Sequence, residues 1–413
     1  MSAQVFGAVL AVGDELLLGD SVNSNAAWLG EQLAAVGVQV VHSAMVGDDV
    51  QRLAAALRRA LEDAEVVVVT GGLGPTVDDL TRDAVALVAG VQQDRVPEIE
   101  DQLRERFAAY GYDMPEAVLR QADVPHGATV LDNPVGTAPG LRVEVGERLV
   151  FAVPGPPHEM QAVMVPVLVE LARRTGTVLH TRQLHCAGTG ESNVAEKVEA
   201  GLDVPDGVAL AYLAGGGVVR VRFTGSDPAV LDRLADDAAR ALGDDVWGRD
   251  GDTLPAVVHR LLGEAGATVA VAESLTGGLL GAALSAEPGS SAGFLGGVLV
   301  YATPLKEVLA GVPAELLDAH GPVAEQTADA MAEGVRERTG ATYGVSLTGV
   351  AGPDPQDGHP PGTLHLGVAG PGGTRVRTRR VPGDRDRVRG YAVTLALDLL
   401  RRRLQSDAAA AED

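Results

Sequence analysis

Apolar runs and helix-period stripes alternate from Val5 to Arg174. Val5–Val12 is a short apolar run that ends at Gly13. Trp28, Leu29, Leu33 and Val36 recur at helical spacing between Asn25 and Val36, and Gly37 supplies a C-terminal stop. A valine-rich stretch follows at Val38–Val41, and Asp48 and Asp49 stand as N-cap candidates for a helix over Val50–Leu61. The four valines of Glu65–Thr70 predict a buried parallel strand. That strand breaks into Gly71-Gly72-Leu73-Gly74-Pro75, with a helix near Asp79. Arg148–Val153 reads as a strand, and Pro154-Gly155-Pro156-Pro157 opens a helix over His158–Arg174. The βαβαβα order predicts a parallel sheet with helices on both faces.

The rhythm then changes. Gln183–Ala187, Val208–Leu213 and Val218–Thr224 read as short strands, with helices over Asn193–Ala200 and Pro228–Leu242. From Asp252 the α/β rhythm returns. Leu254–Glu264 is a helix; Ala267–Ala272, Phe294–Tyr301 and Tyr343–Thr348 are strands; Thr363–Val368 and Thr374–Val381 pair as neighbours. Helices are expected around Pro304–Ala310, Pro313–Ala319, Glu325–Arg338 and Asp384–Leu404. The fold class is therefore α/β: two parallel-type α/β sandwich domains, 1–172 and 251–405, joined by a small α+β module, 173–250. The tail, 406–413, is expected to be disordered.

Charge and cysteine narrow the function classes. The chain has 413 residues and a net charge of -23, which disfavours direct nucleic-acid binding. Its one cysteine, Cys186, permits no internal disulfide and no cysteine-based zinc site. The N-terminus lacks a basic n-region and no apolar run is long enough to span a bilayer, so a cytoplasmic protein is expected. Of 33 basic residues only Lys197 and Lys306 are lysine. Where arginine supplies routine charge, a surviving lysine is a candidate for proton transfer, which arginine cannot perform.

Several common chemistries are absent. Neither lysine follows a glycine, so there is no Walker A loop; HExxH and a correctly spaced dinucleotide fingerprint are missing too. In the N-terminal domain, the Thr70–Asp79 segment falls at the carboxyl end of a strand, where open α/β sheets bind ligands. Gly71, Gly72, Gly74 and Thr76 are its substrate-binding candidates, since glycines admit phosphate close to backbone amides. Asp78 and Asp79, with Asp14 (beside Glu15) and Asp48 (beside Asp49) at neighbouring βα corners, are candidates for a divalent metal such as Mg²⁺. The competing reading makes these aspartates N-caps and these glycines turns.

In the C-terminal domain Ser274 follows a strand, in Ala272-Glu273-Ser274-Leu275-Thr276-Gly277-Gly278. It is either an N-cap or a nucleophile. Lys306 lies five residues after Tyr301, Thr348 and Gly349 end another strand, and Arg385 begins the last helix. Together these corners offer a nucleophile, a base, small polar donors and a phosphate-binding cation. No histidine sits in these motifs, so a Ser–Lys pair is the available arrangement, with Tyr301 orienting the lysine or relaying its proton. Amides at Thr276, Gly277 and Gly278 are candidates for substrate or oxyanion contact. The lysine pKa must fall from about 10.4 to roughly 7–8, a cost of ~4 kcal/mol.

The motifs together resemble the competence/damage-inducible CinA family. They are Gly13-Asp14-Glu15-Leu16-Leu17, Asn23-Ser24-Asn25, Gly71-Gly72-Leu73-Gly74-Pro75-Thr76, Gly136-Thr137-Ala138-Pro139-Gly140 and Pro154-Gly155-Pro156-Pro157-His158-Glu159-Met160. AESLTGG (272–278), YATPLK (301–306), GPVAEQTA (321–328), TGVAGP (348–353) and GDRDRVR (383–389) extend the likeness over nearly the whole chain. Thr70-Gly71-Gly72, Gly74 and Asp79 resemble the signature of molybdopterin-binding (MoaB/MogA-like) domains. Gly188-Thr189-Gly190-Glu191-Ser192 matches the motif of a KH-like second domain, but the module lacks GXXG there and is net acidic, so it reads as a connector with a role in dimer contacts.

The resemblance implies a metal-dependent ADP-ribose pyrophosphatase in front. Behind, it implies a metal-free nicotinamide mononucleotide (NMN) deamidase in which Ser274 attacks and Tyr301 and Lys306 assist. It also implies a homodimer. Leu275 stands where cysteine is common, and Thr303-Pro304 departs from the usual residues before the lysine. Two other readings stay open: a non-catalytic molybdopterin- or nucleotide-binding protein, and a competence or DNA-damage accessory.

Overall fold

The structure, a computed structural model, describes residues 4–109, 112–176 and 178–412. It divides into two compact units, residues 1–180 and 181–413. The first carries β1 (Val5–Val12), β2 (Val38–Val46), β3 (Val66–Thr70), β4 (Gln93–Arg95), β5 (Asp123–Pro125), β6 (Thr129–Leu131), β7 (Gly140–Val145) and β8 (Arg148–Val153). Six of them form one sheet in the order β2-β1-β3-β8-β7-β6. β2, β1, β3 and β8 run parallel.

The valine run of β3 is buried at every position because both faces are covered. Val67 and Val69 join a core with Leu53 and Leu57 of helix Val50–Asp63. Val66 and Val68 join another with Leu29 of helix Ser24–Ala35 and Met160 of helix Pro157–Thr175. The expected parallel sheet is present, with two strands added at one edge. β7 and β6 are antiparallel additions. The chain reverses at Gly146-Glu147, and a tight hairpin turn requires no crossover helix.

The second unit opens with β9 (His180–Ala187), β10 (Ala209–Gly215), β11 (Val218–Gly225) and β12 (Val246–Arg249), ordered β10-β11-β9-β12. Helices Glu191–Glu199 and Pro228–Leu242 share one core with this sheet. Next come β13 (Val269–Glu273), β14 (Phe294–Leu299), β15 (Tyr343–Gly349), β16 (Thr363–Gly370) and β17 (Gly373–Arg380), ordered β14-β13-β15-β16-β17. β14, β13 and β15 are parallel; β16 and β17 return antiparallel. The three parallel strands deliver Glu273, Leu299 and Gly349 to one end of the sheet, the end that carries the candidate chemistry.

The last helix, Arg385–Glu412, runs through the segment expected to be disordered. The Asp407 carboxylate accepts from the Tyr343 hydroxyl at 2.9 Å and pairs with Arg403 at 2.7 Å. Residue 413 lies outside the described residues. The same helix fastens the connector. Buried Arg401 donates to Asp398 at 2.6 Å and to the Asp244 carbonyl at 2.7 Å, and Arg402 reaches both Asp398 and Asp245. Among the described residues no helix is long and apolar enough to cross a membrane.

Asp398→Ala strips the buried Arg401 guanidinium of its carboxylate, and removing one partner of a buried pair costs about 3–5 kcal/mol. Urea unfolding of the variant is expected to show that loss, and an unchanged midpoint would show that the pair carries no net weight.

Candidate active site

β13 is buried throughout and ends at Glu273, with Ser274 continuing the ladder by donating its amide to the Leu347 carbonyl at 3.0 Å. Ser274 is not an N-cap: helix Leu279–Ser285 has Gly278 at its N-cap, without a side-chain cap. Its hydroxyl instead meets Lys306. Helix Thr303–Val308 has a proline in its first turn, where a missing N–H is tolerated, so Pro304 starts the helix and does not obstruct it. Lys306 Nζ lies 2.9 Å from Ser274 Oγ and donates to the Val300 carbonyl, also at 2.9 Å.

Lys306 is 1% exposed and has no carboxylate partner among the described residues. Burial alone lowers its pKa to about 8, the range a lysine base requires. The other lysine, Lys197, forms an exposed pair with Asp245 at 2.7 Å. Cys186 is buried, and burial pushes its thiol up to about 12, which leaves it unreactive.

A cavity of about 130 Å³ opens over the pair. Its lining includes Ser274, Tyr301, Lys306, Thr348, Gly349 and Arg385, which the sequence nominated, together with Asp354 and Gln356, which it did not. Tyr301 is 62% exposed, and its hydroxyl accepts from Arg385 at 2.8 Å. It sits at the rim and makes no hydrogen bond to Lys306, so the expected proton relay through Tyr301 is not present. Thr348 spends its hydroxyl proton on the Pro322 carbonyl at 2.7 Å. Leu275 and Ala351 also line the cavity, and their amides have no hydrogen-bond partner among the described residues.

Thr276, Gly277 and Gly278 do not line the cavity, which corrects their nomination as substrate contacts. Thr276 is fully buried and donates its hydroxyl to Glu273 at 2.7 Å. The Gly278 amide also donates to Glu273, at 3.1 Å, and the Gly277 amide to the Ser274 carbonyl at 3.2 Å.

In the first unit, a second cavity of about 280 Å³ lies at the carboxyl ends of β1, β3 and β8. Glu15, Asn23, Asn25, Thr70, Gly71 and Gly155 help to line it. Asn25 donates to Thr70 Oγ1 at 2.9 Å and to the Gly155 carbonyl at 2.7 Å, while its own Oδ1 is buried without a protein partner. A Cβ on Gly71, which has φ +100°, would stand 2.4 Å from the Val12 carbonyl oxygen, so only glycine lets the ends of β1 and β3 meet here.

Gly72, Gly74 and Thr76 do not line this cavity. They belong to a loop closed on itself. Asp79 accepts from the amides of Gly74 and Thr76, both at 2.8 Å, and from the Thr76 hydroxyl. Arg82 donates to the Leu73 carbonyl at 2.6 Å and the Gly74 carbonyl at 2.8 Å. Asp14 and Asp48 are tied to each other's backbone amides at 2.9 and 3.2 Å. Burial, then the charges of Asp14, Glu15 and Asp78, raise the Asp48 pKa against its hydrogen bond from Asp14. Asp49, not Asp48, caps its helix, accepting from Gln51 and Arg52.

Among the described residues no group of three or more His, Cys, Asp or Glu is placed to hold a metal. Asp14, Asp48, Asp78 and Asp79 therefore do not converge as a shell that could hold a divalent cation by itself. A larger hollow of about 540 Å³ beside helix Pro97–Ala109 contains no hydrogen-bonded nucleophile–base pair, so size does not select the site.

Three family patterns match successive parts of the chain. The probable molybdopterin binding domain matches residues 8–174, the damage-inducible protein CinA KH domain 181–248, and the CinA C-terminal domain 251–404. A CinA-like protein of Frankia casuarinae is 50% identical over 96% of this chain and 95% of its own length. The chain belongs to the CinA family. A putative competence-damage inducible protein of Desulforamulus reducens is 39% identical over 96% of this chain and 98% of its own. The crystal structure of CinA from Thermoplasma acidophilum is 36% identical and covers 41% of this chain and 99% of its own, with a TM-score of 0.39. The Ser274–Lys306 pair thus lies in the CinA C-terminal domain, and the Asn25 cavity in the molybdopterin-binding-like domain.

Lys306 also makes a prediction that needs no substrate. Unfolded, its amine keeps its proton up to about 10.5; folded, it releases it near 8. Between those values the unfolded state binds more protons, so stability rises with pH across that window. At pH 7 the buried charge costs ~3 kcal/mol at 1.36 kcal/mol per pKa unit. Lys306→Met is expected to melt above wild type at pH 7, with the gap narrowing as the pH passes 9. Parallel melting curves from pH 6 to 10 would show that Lys306 is not desolvated.

Proposed function

We propose that the C-terminal domain is a metal-free serine amidase that converts NMN and water to nicotinate mononucleotide and ammonia. The observation that carries the reading is a buried lysine, with its pKa held near 8, 2.9 Å from a serine hydroxyl. Neutral Nζ takes the Ser274 proton as Oγ attacks the carboxamide carbon. The C–N bond then breaks, and ammonia leaves with the proton returned by Lys306. Water, deprotonated by the same amine, hydrolyses the acyl-serine. The Leu275 and Ala351 amides are the candidates to receive the oxyanion.

The cavity's size and charge suit this substrate. About 130 Å³ accommodates an aromatic amide but not a whole nucleotide, so ribose and phosphate fall at the rim, where Arg385 and Tyr301 stand. Asp354 offers a carboxylate to the pyridinium charge.

For the N-terminal domain the reading is ADP-ribose pyrophosphatase, supported by a cavity at the strand ends and by the unpaired Asn25 Oδ1. A cation there would have to be held chiefly by substrate phosphates, because the protein carboxylates form no shell. Within this reading the chain is a cytoplasmic homodimer, and its charge of -23 argues against nucleic acid as a partner.

EDTA-treated protein is expected to release ammonia and nicotinate mononucleotide from NMN. Ser274→Ala and Lys306→Met should each lose about 10³-fold or more in kcat. Because neutral Lys306 is the active form, the rate should rise about tenfold per pH unit below 8 and level off above. Arg385→Ala should raise KM more than it lowers kcat. A folded wild type that leaves NMN intact discards the deamidase and favours the ligand-binding or accessory roles.

A further inference from the structure

We propose that Glu273 and Arg389 form a two-sided clamp that positions Ser274 and the Leu275 amide for attack. The proposal rests on the reading of Ser274 as the nucleophile. Glu273 is 1% exposed, and both its carboxylate oxygens are in use. One accepts from the Thr276 hydroxyl at 2.7 Å, the Gly278 amide at 3.1 Å and the Leu280 amide at 3.0 Å; the other accepts from the Gly281 amide at 2.7 Å. No other side chain in the turn supplies an acceptor to these groups.

Arg389, on the last helix, holds the opposite polarity of the same turn. Its Nε donates to the Leu275 carbonyl at 3.1 Å, and a terminal nitrogen donates to the Thr276 carbonyl at 2.9 Å. Amides are thus tied on one side and carbonyls on the other, and the peptide planes between Ser274 and Gly278 lose their freedom to rotate.

The orientation that results is the one an acyl-transfer site needs. In a trans peptide the Ser274 carbonyl and the Leu275 N–H point in opposite directions. The Ser274 carbonyl turns inward to the Gly277 amide at 3.2 Å. The Leu275 N–H therefore faces away from the turn, and Leu275 lines the cavity beside Ser274. Neither clamp residue lines that cavity, so both are positioning residues that act through Ser274 and Leu275.

The test uses the full chain and a fluorophosphonate probe, with Ser274 labelling followed by intact mass, so its readout does not depend on NMN. Glu273→Gln places an NH₂ group against amide donors; Arg389→Ala frees two carbonyls; Thr276→Val removes one bond of the clamp and serves if Glu273→Gln does not fold. Glu273→Gln and Arg389→Ala are expected to label at least tenfold more slowly than wild type, and Thr276→Val by a smaller factor. With NMN, kcat falls in parallel while KM stays within about threefold.

The pH midpoint separates positioning from general loosening. A loosened cavity hydrates Lys306 and moves the midpoint up from 8, whereas a lost clamp lowers the plateau and leaves the midpoint in place. Labelling at the wild-type rate, or a midpoint that climbs with the loss, overturns the clamp. If wild type labels at Ser274 but does not deamidate NMN, the substrate assignment fails, and the labelling comparison alone decides the clamp.

Discussion

An ammonium group taken out of water loses hydration that few neighbours can replace. Lys306 is placed in that position with only neutral oxygens around it, those of Val300 and Ser274. A carboxylate in contact would restore the charge and push the pKa back up, leaving little neutral amine near pH 8. The constraint on the C-terminal domain is therefore dryness without a counter-charge. Val300 provides the link: its N–H donates to the Glu273 carbonyl at 2.8 Å and its own carbonyl receives Lys306. The strand that ends beside Ser274 thus also fixes the residue that holds Lys306.

Much of this was legible in the sequence, and for physical reasons. In a chain that uses arginine almost throughout, one lysine after a strand and one serine after another pointed to each other before any geometry was known. The glycines after Ser274 were misleading. Gly-rich turns at strand ends commonly hold ligands, but here Gly277 and Gly278, at φ +61° and +103°, bend the chain so that its amides reach Glu273. Glu273 itself gave no signal, because it reads as the last polar position of a Val-Ala alternation. Arg389 lies more than a hundred residues away in sequence, and only the packing of the last helix brings it to the turn.

The errors in the fold have similarly local causes. β6 and β7 are short and half polar, so periodicity does not distinguish them from loop. The tail, rich in Ala, Asp and Glu, has the composition of a disordered end. Alanine and glutamate are also strong helix formers, and the Asp407 bonds to Tyr343 and Arg403 anchor the continuation. Composition alone cannot weigh one tertiary anchor against the entropy of a short segment.

The two α/β domains present the same surface signal, acidic residues and glycines at the carboxyl ends of parallel strands, with opposite outcomes. What separates them is how much hydrogen-bonding capacity the backbone has already consumed. Asp79 is filled by its own loop, and Asp14 and Asp48 by each other's amides. Glu273 is filled in the same way, so it shapes the site from behind. Ser274 and Lys306 engage each other and a single carbonyl, which leaves the hydroxyl open to a substrate. Asn25 in the N-terminal domain is the corresponding exception, with both donors engaged and its buried acceptor unpaired. A polar residue whose partners are complete holds the fold; one whose capacity is left open at a cavity is where chemistry or a ligand enters.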